Sequence, residues 1–348
     1  MTEHLLIRAA LGQPVERTPV WIMRQAGRYL PEYQAIRKQM SFLELCHTPE
    51  KAAEVSIQPL DILDVDGVIV FCDILVPLEA MGMDLRFEEG RGPVLSDPIR
   101  HASDVKRLRP YDANVETGYL PQAINMLVQE VGHRAPIIGF AGAPYTLACY
   151  AIEGSTSRHY GTTKQFMMAD PVGFTALMDR LVDAVSELLI AQIEAGASMV
   201  QLFDTWAGDL MPDQYKAWAM PFAQRVIERV RRPGVPVVYF MNGVAGKLHE
   251  VQHIGADVLG IDWRIGLDQV RDVVGQDTVL QGNLDPCTLY APPEVIDERV
   301  QSVLDANGTG PHVFNLGHGI LPTIPVKHAQ HVVAAVKRLS QKKSSNNG

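Results

Sequence analysis

The stretch VPVVYFMN (235–242) is an almost unbroken run of β-branched and aromatic residues that ends in a polar side chain. Similar runs recur along the chain, and several are continuously apolar rather than alternating. That pattern is typical of strands in a parallel sheet covered on both faces. In chain order the eight runs are PVWIMR (19–24), DGVIVFCD (66–73), APIIGFAG (135–142), SMVQLFD (198–204), VPVVYFMN (235–242), ADVLGIDW (256–263), DTVLQGN (277–283) and PHVFNLGH (311–318).

Segments with apolar residues at three- and four-residue spacing separate most of these runs and predict helices, notably over 171–196, 212–231 and 323–340. Pro212 lies where a helix tolerates proline, and Gly196 where a helix commonly ends. Strands that alternate with helices predict a parallel sheet, and eight such units predict an α/β fold, a single (β/α)8 TIM barrel with extra helices and loops. The competing architecture is a doubly wound open sheet. It usually has fewer strands, and no G-x-G-x-x-G follows the first run.

The domain organisation follows from what interrupts the pattern. No Ser/Gly-rich linker divides the chain, and residues 74–134 are interpreted as an excursion with extra helices. We predict one barrel domain over residues 1–340 and a flexible, polar C-terminal tail over residues 341–348.

Composition narrows the class of protein. The 348 residues include 31 Lys+Arg and 40 Asp+Glu, a net charge of −9, which argues against nucleic acid or an anionic membrane surface as the main partner. No apolar run approaches the roughly 18 residues of a membrane span, and the first residues do not resemble a signal peptide. The four cysteines are far apart, without a C-x-x-C. We therefore predict reduced thiols and a cytoplasmic protein.

The ends of the runs supply the candidate site, because active sites of such barrels form at the carboxyl ends of the strands. Strand ends also meet water, so any single polar residue there can be purely structural. As a set, however, they converge on one mouth. The polar groups at these ends are Arg24, Asp73, Asp204 with Thr205, Asn242, Asp262, Asn283 and His318.

Three arginines, Arg24, Arg28 and Arg37, fall within fourteen positions after the first run. If this segment is helical, the i, i+4 spacing places Arg24 and Arg28 on one face. Guanidinium groups suit planar carboxylates or phosphates, and the absence of a G-x-x-x-x-G-K-[ST] loop favours carboxylates. The alternative is a solvated basic turn that pairs with Glu32 or Glu44.

The sequence allows more than one role for each of the other candidate residues. Asp73 closes an apolar run, so its carboxylate needs a cationic or donor-rich partner, or it caps the following segment. Cys72 should point away from Asp73 and is not interpreted as a nucleophile. His318 can be a ligand, an acid/base group or a turn residue. The Gly-rich segment 139–154, which contains Tyr150, either covers a flat ligand or starts a tightly packed helix. No zinc-type spacing and no G-x-S-x-G is present, so no metal site is predicted.

Two longer motifs carry a family resemblance. WIMRQAGRYLPEY (21–33) and GFAGAPYTLACYAIEG (139–154) resemble the signatures of the uroporphyrinogen decarboxylase family, and FCDIL, QLFDTWAG and FNLGHGI match further segments in the same order. The resemblance extends from about Leu5 to Leu339. It implies a (β/α)8 barrel, a homodimer, and no cofactor or metal. It also implies a carboxy-lyase of haem biosynthesis, which converts the four acetate arms of uroporphyrinogen III to methyls and gives coproporphyrinogen III.

The resemblance also implies roles for individual residues. Asp73 would stabilise the cationic pyrrole formed by ring protonation, and Arg24 would be a proton donor or would organise a water molecule. Thr205 stands where some members carry Ser, and the hydroxyl is kept. The substrate-binding positions implied in this way are Arg24, Gln25, Ala26, Gly27, Arg28, Arg37, Asp73, Tyr150, Thr205 and His318.

Two rival functions are open at this point. Corrinoid- and thiol-dependent methyltransferases share the architecture and bind zinc through His and Cys, but HVFNLGHG (312–319) has no Cys and Cys287 lacks a nearby H-x-C. The other rival is a porphyrinogen carrier that keeps the pocket without turnover. The predicted partners are a small-molecule substrate and a second copy of the chain, with no nucleic acid and no membrane.

Overall fold

A curved parallel sheet forms the centre of the protein. The computed structural model describes residues 4–88 and 90–342. Seven strands pair side by side in the order β1-β4-β5-β6-β7-β8-β9, all parallel, while β2 and β3 form a separate antiparallel hairpin. The strands are β1 (Val68–Ile69), β2 (Leu85–Glu88), β3 (Gly92–Leu95), β4 (Ile137–Gly142), β5 (Met199–Phe203), β6 (Val237–Phe240), β7 (Val258–Gly260), β8 (Val279–Leu284) and β9 (His312–Leu316).

Helices surround this sheet. Short 3₁₀ turns over Ala207–Asp209, Val244–Lys247 and Pro286–Tyr290 follow β5, β6 and β8. The α-helices are α1 (Leu5–Ala10), α2 (Pro31–Arg37), α3 (Phe42–His47), α4 (Pro49–Leu63), α5 (Val76–Ala80), α6 (Ala102–Val105), α7 (Ala113–Glu116), α8 (Tyr119–Val131), α9 (Pro144–Glu153), α10 (Gly161–Ala169), α11 (Pro171–Glu194), α12 (Pro212–Trp218), α13 (Met220–Val230), α14 (Leu248–Val251), α15 (Leu267–Val274), α16 (Pro293–Asn307) and α17 (Val326–Leu339).

The sheet closes through the first predicted run (19–24). We expected a full strand there, but the structure does not form one. Only Val20 pairs, in a parallel bridge with Phe314 of β9. On its other side the carbonyl of Val20 accepts the N–H of Asp66 at 2.7 Å, just ahead of β1. Beyond Ile22 the chain turns away, because Arg24 adopts a left-handed backbone with φ 64°. The barrel prediction is confirmed, except that the first of the eight expected strands is reduced to a single bridge.

Two layers of apolar packing confirm the barrel geometry. In β6, Val238 and Phe240 face the barrel interior, and Val237 and Tyr239 face the surrounding helices, as the period of two requires. The interior cluster also includes residues of α1, which lies across one end of the barrel. Inside, Trp21 Nε1 donates to Gln281 Oε1 at 3.0 Å, and Gln281 Nε2 donates to Gln201 Oε1 at 2.9 Å. These hydrogen bonds link the three side chains inside the barrel, and Gln201 Nε2 donates to no partner among the described residues.

The helix predictions hold with two differences. The segment 171–196 forms α11, followed by Gly196 at φ 108°. The segment 212–231 splits at Ala219 into α12 and α13, because Pro221 lies in the first turn of α13 and cannot continue the preceding helix. The segment 323–340 begins its helix only after Pro325. The excursion 74–134 contains α5 to α8, the extra helices that we predicted, and also the β2-β3 hairpin, which we did not predict.

The C-terminal end is described up to Lys342, whose N–H donates to the carbonyl of Glu16 at 3.1 Å. The predicted tail beyond it, 343–348, lies outside the described residues. None of the described helices is both long and apolar enough to span a bilayer.

Candidate active site

Arg24 projects from a turn, and not from a helix as the i, i+4 spacing suggested. Residues 23–29 form turns and bends, and Gly27 permits this path because a Cβ there would lie 2.9 Å from the carbonyl oxygen of Arg24. The aliphatic part of Arg24 lies against Gly319 in the loop after β9, where a Cβ would come within 2.7 Å of Cγ. The glycine therefore makes room for an exposed guanidinium group at the barrel mouth.

Asp73 follows β1 and is half-buried. Its Oδ1 accepts the N–H of Leu75 at 2.8 Å, so the capping alternative is partly right. Its Oδ2 accepts no hydrogen bond from residues 4–88 or 90–342. Burial raises the pKa of Asp73 to about 6, although the Leu75 N–H and the positive charge of Arg24 act in the opposite direction. A carboxylate with a free oxygen thus faces the mouth near Arg24.

His318, in the loop after β9, shares the field of Arg24. Burial, with the charges of Arg24 and Arg264, lowers the pKa of His318 to about 4. Its ring lies 6.1 Å from the ring of Trp263 and 6.3 Å from that of Phe240, centre to centre. Near neutral pH the imidazole is therefore uncharged and can accept or donate a hydrogen bond.

Tyr150 and Thr205 follow β4 and β5, on the side of the mouth opposite to His318, which follows β9. Tyr150 is on α9, which is buried over most of its length, so the packed-helix alternative is right for this segment. Burial, with the charge of Asp73, raises the pKa of Tyr150 to about 12. Its ring lies 5.9 Å from that of Trp206. Thr205, the residue before Trp206, is half-buried.

A floor of aromatic rings, absent from our predictions, lies beneath these polar groups. The ring centres of Phe140 and Phe203 are 5.8 Å apart, those of Phe203 and Phe240 are 6.0 Å apart, and the chain of contacts continues to His318. These rings occupy consecutive strands β4, β5 and β6 near their carboxyl ends. Part of this row had a signal in the sequence, because Phe203 and Phe240 both lie near the carboxyl ends of their runs and pair with each other. Phe140 had no such signal, since it pairs with Gln201 and lies two residues before Gly142, the β4 partner of Phe203.

A buried carboxylate, Asp204, supports the floor from behind. Thr146 donates to Oδ1 at 2.9 Å and Tyr239 donates to Oδ2 at 2.8 Å, while the Tyr215 hydroxyl donates to that of Tyr239 at 3.2 Å. Burial raises the pKa of Asp204 to about 6, and its two donors act in the opposite direction. Asp204 was one of the strand-end candidates, but it is fully buried, so it fixes the loop that carries Thr205.

The side chain of Gln25, one of the predicted substrate-binding residues, does not reach the mouth. Its side chain is fully buried, accepts the N–H of Ile22 at 3.1 Å and donates to the carbonyl of Gly67 at 3.0 Å. It therefore ties the turn to the start of β1 and is not an accessible contact. Ala26 and Gly27 are half-exposed, and their N–H groups donate to no partner within the described chain. Those two groups can bind an anion through the backbone.

Arg28 and Arg37 flank the same side of the mouth. Both guanidinium charges act on Tyr33, whose ring lies 5.6 Å from that of Phe71, two residues before Asp73. Arg28 is exposed, whereas Arg37 lies 5.9 Å over the ring of Phe42 and donates to the carbonyl of Met40. Within the described residues neither arginine pairs with Glu32 or Glu44, so the expected ion pairs of a solvated turn are absent.

No arrangement of three or more His, Cys, Asp or Glu side chains in the described part of the chain could hold a metal ion. Cys72 and Cys46 are neighbours, and the Cys72 thiol together with burial raises the pKa of Cys46. The site therefore consists of arginines, one carboxylate, a neutral histidine, hydroxyls and an aromatic floor.

These features define a class: an α/β-barrel enzyme whose mouth presents positive charge and a single carboxylate over an aromatic surface. Comparison with known proteins gives the family. The profile of the family described as uroporphyrinogen decarboxylase (URO-D) matches residues 1–339. A uroporphyrinogen decarboxylase of Geobacter sulfurreducens is 50% identical over 335 residues, which cover 96% of this chain and 98% of the relative. One from Chloroflexus aggregans is 48% identical over 336 residues, covering 95% and 94%.

Among solved structures, a methyltransferase from Methanosarcina mazei aligns with a TM-score of 0.78 over 96% of this chain and 97% of its own, at 21% identity. A B12-independent methionine synthase from Shewanella aligns with a TM-score of 0.58 at 11% identity. These likenesses show the fold alone. The chain belongs to the uroporphyrinogen decarboxylase family, which confirms the family predicted from its two motifs.

Proposed function

We propose that the protein decarboxylates the four acetate arms of uroporphyrinogen III to methyl groups and releases coproporphyrinogen III and CO₂. Family membership supports the predicted enzyme class, a carboxy-lyase of porphyrin biosynthesis. The observation that carries the proposal is the half-buried Asp73 carboxylate, which keeps one oxygen free at a mouth that also presents Arg24. A flexible tetrapyrrole with N–H groups at its centre and carboxylates at its edge matches this distribution of charge.

Binding divides between the two kinds of surface. The apolar face of the macrocycle lies against Phe203, the partly exposed ring of this row, and the buried rings of Phe140 and Phe240 support Phe203 from either side. The carboxylate arms bind the guanidinium groups of Arg24 and Arg28 and the N–H groups of Ala26 and Gly27. Arg37 reaches the arms from the rim of the same side. Tyr150, Thr205 and His318 supply neutral hydrogen bonds, which fix orientation without attracting a carboxylate to the wrong place.

Asp73 performs the electrostatic work of the reaction. Protonation of the ring carbon that bears the acetate makes that pyrrole a cationic electron sink. The bond between the methylene carbon and the carboxylate then breaks, its electron pair neutralises the cation, and CO₂ leaves. A second proton adds to the methylene carbon as the ring carbon loses its own, so each arm consumes one proton overall. Asp73 accepts the pyrrole N–H groups and stabilises the cation.

Arg24 is the second catalytic residue. It lies close enough to Asp73 and His318 to influence the pKa of both groups. A guanidinium group, with a pKa above about 12, is a poor proton donor. We therefore assign Arg24 to orienting the departing carboxylate and a water molecule that delivers the proton.

The remaining features of the proposal concern the whole chain. The residues of the site are sufficient for this chemistry without a metal or cofactor. The enzyme acts in the cytoplasm, as one barrel domain per chain over residues 1–340, and pairs as a homodimer. The absence of disulfide bonds among its four cysteines is consistent with a reducing compartment.

Anaerobic incubation of the purified protein with uroporphyrinogen III, without added cofactor, tests the proposal. Products are oxidised and separated by their number of carboxylates. Stepwise appearance of hepta- down to tetracarboxylate species supports the decarboxylase. An intact octacarboxylate that stays bound to the protein favours the carrier instead. An octacarboxylate that neither binds nor reacts contradicts both functions.

A further inference from the structure

Arg264 is a fixed guanidinium group at the mouth that neither the motifs nor the family resemblance assigned. It lies four residues after the end of β7, and its side chain is 47% exposed. Nη1 donates to Asn242 Oδ1 at 2.7 Å and to Asp262 Oδ2, and the guanidinium carbon stands 3.9 Å from the centre of the Trp263 ring. Two polar partners and one ring therefore hold its plane in place.

The partners explain why this arginine is rigid although it is exposed. Asp262 is fully buried, and its other oxygen accepts the N–H of Val244 at 3.2 Å. A buried carboxylate is costly without a counter-charge, so it retains Arg264. Asp262 and Arg264 are two residues apart in the chain, and a turn at Trp263 and Arg264 brings the two side chains together. Stacking on Trp263 restricts the guanidinium further.

The rest of the guanidinium group is available to a ligand. Nε and Nη2 of Arg264 donate no hydrogen bond within residues 4–88 and 90–342. Trp263, on which the group stacks, lies 6.1 Å from the ring of His318, and the charges of Arg264 and Arg24 both act on that imidazole. Two guanidinium groups, from the first turn and from the end of β7, thus flank one neutral histidine.

We propose that Arg264 is a specificity-determining residue that binds a carboxylate arm of the porphyrinogen on the β7 side of the mouth. The inference rests on the proposed function, since the arm belongs to that substrate. The arm is either an acetate, which disappears as the reaction proceeds, or a propionate, which persists into the product. Both present the same planar anion to the free edge formed by Nε and Nη2.

The test compares Arg264→Gln with Arg229→Gln. Arg229 is an arginine of similar exposure, 45%, which pairs with Asp183 on the outer helices. Arg264→Gln should raise the KM for the octacarboxylate about tenfold, the size of one lost charge-assisted hydrogen bond, with a smaller effect on kcat. Arg229→Gln should leave KM unchanged. Equal KM values in the two variants would overturn the proposal.

A double variant separates ligand binding from simple neutralisation of Asp262. In Asp262→Asn with Arg264→Gln the buried charge is gone and the Asn oxygen still accepts the Val244 N–H. If Arg264 serves only to pair Asp262, the double variant recovers the wild-type KM, and the proposal fails. If Arg264 binds an arm, KM stays raised although the buried charge is relieved.

Anaerobic equilibrium dialysis with coproporphyrinogen III identifies the arm. Arg264→Gln binds this product about tenfold more weakly if the arm is a propionate, and with unchanged affinity, despite the raised KM, if it is an acetate. If the wild type fails to decarboxylate, the proposed function fails. Dialysis with the intact octacarboxylate and the tetracarboxylate then decides the role of Arg264 independently, and equal affinities of wild type and Arg264→Gln for both would overturn it.

Discussion

The carboxylate of Asp73 is poorly solvated, and the pH dependence of the enzyme's activity follows from that position. Burial places its pKa at about 6, so the ionised form that stabilises a cationic pyrrole is lost as the pH falls through that value. We expect kcat/KM to decline below about pH 6. His318, whose pKa is lowered to about 4, does not account for a limb at that position. A profile flat from pH 7 to pH 5 would contradict the assignment.

Asp204 titrates in the same range, with a pKa of about 6, and needs its own control. It is fully buried behind the floor and faces Thr146 and Tyr239 rather than the mouth. The acid limb should therefore persist in Asp204→Asn, whatever the absolute rate of that variant. Disappearance of the limb in that variant would transfer the titration from Asp73 to the buried network.

Replacement of Asp73 should separate activity from stability. Asp73→Asn retains an oxygen for the Leu75 N–H but removes the charge, so kcat/KM should fall a few hundredfold, about 3–4 kcal/mol of transition-state stabilisation. Because the pKa of Asp73 is raised in the folded protein, its ionisation lowers stability progressively as the pH rises from about 4 to about 6. At pH 7.5 the variant should therefore be as stable as the wild type or more stable, by on the order of 1 kcal/mol.

Thermal unfolding at pH 7.5 and at pH 4 checks that reasoning, because the difference between the two proteins should shrink at the lower pH. Near-normal turnover in Asp73→Asn would eliminate the electrostatic role. A large loss of stability at pH 7.5 would show that the carboxylate serves the fold instead.

At the scale of elements, the strand runs and helices were predictable because they are set by local patterns of period two and 3.6. Long-range contacts decided the rest. Arg24 and Arg28 share an i, i+4 spacing, yet Arg24 adopts a left-handed backbone and its side chain packs on Gly319, almost three hundred residues away. Gln25 reads as a member of the binding motif, but its amide joins the turn to Gly67. Neither outcome is written in the local sequence.

The loop after β9 therefore sets the position of Arg24, and a single methyl group should disturb it. Gly319→Ala adopts an ordinary backbone angle, but its Cβ would lie within 2.7 Å of Arg24 Cγ and closer still to Cδ, so the arginine must move. We expect kcat/KM to fall about tenfold or more, since small misplacements of an orienting group are costly, with little change in thermal stability. Steady-state kinetics and a melting curve of the same preparation measure both.

Gly161→Ala is the matched control. Gly161 begins α10, has no atom near its Cβ position and does not need a positive φ. Unchanged kinetics there and reduced kinetics in Gly319→Ala would locate the effect at Arg24. If Gly319→Ala is as active as the control, the loop tolerates the methyl group and Arg24 is not held by this contact.

At the scale of the whole molecule, a net charge of −9 coexists with a positively charged mouth because the arginines of the site are concentrated there.

Eight repeats in the sequence indicated a closed barrel, but the closure itself depends on one residue pair, Arg17 and Asp66, that no repeat reveals. Asp66 accepts two hydrogen bonds from Arg17, at 2.6 and 2.7 Å, and a third from the N–H of Val20 at 2.8 Å. Its carboxylate thus takes the place of a strand partner where the first run has only one bridge to β9.

Removal of that carboxylate should loosen the ring. Asp66→Ala leaves the Val20 N–H and a largely buried Arg17 without their partner, so we expect a loss of about 2–3 kcal/mol of unfolding free energy. Asp61→Ala removes an exposed partner of Arg134 and should change it by less than about 0.5 kcal/mol. Urea unfolding followed by tryptophan fluorescence compares the two, and Trp21, buried inside the barrel next to the closing bridge, reports on it directly. Equal shifts in the two variants would show that the barrel closes without the Asp66 carboxylate, through the backbone pairing of Val20 alone.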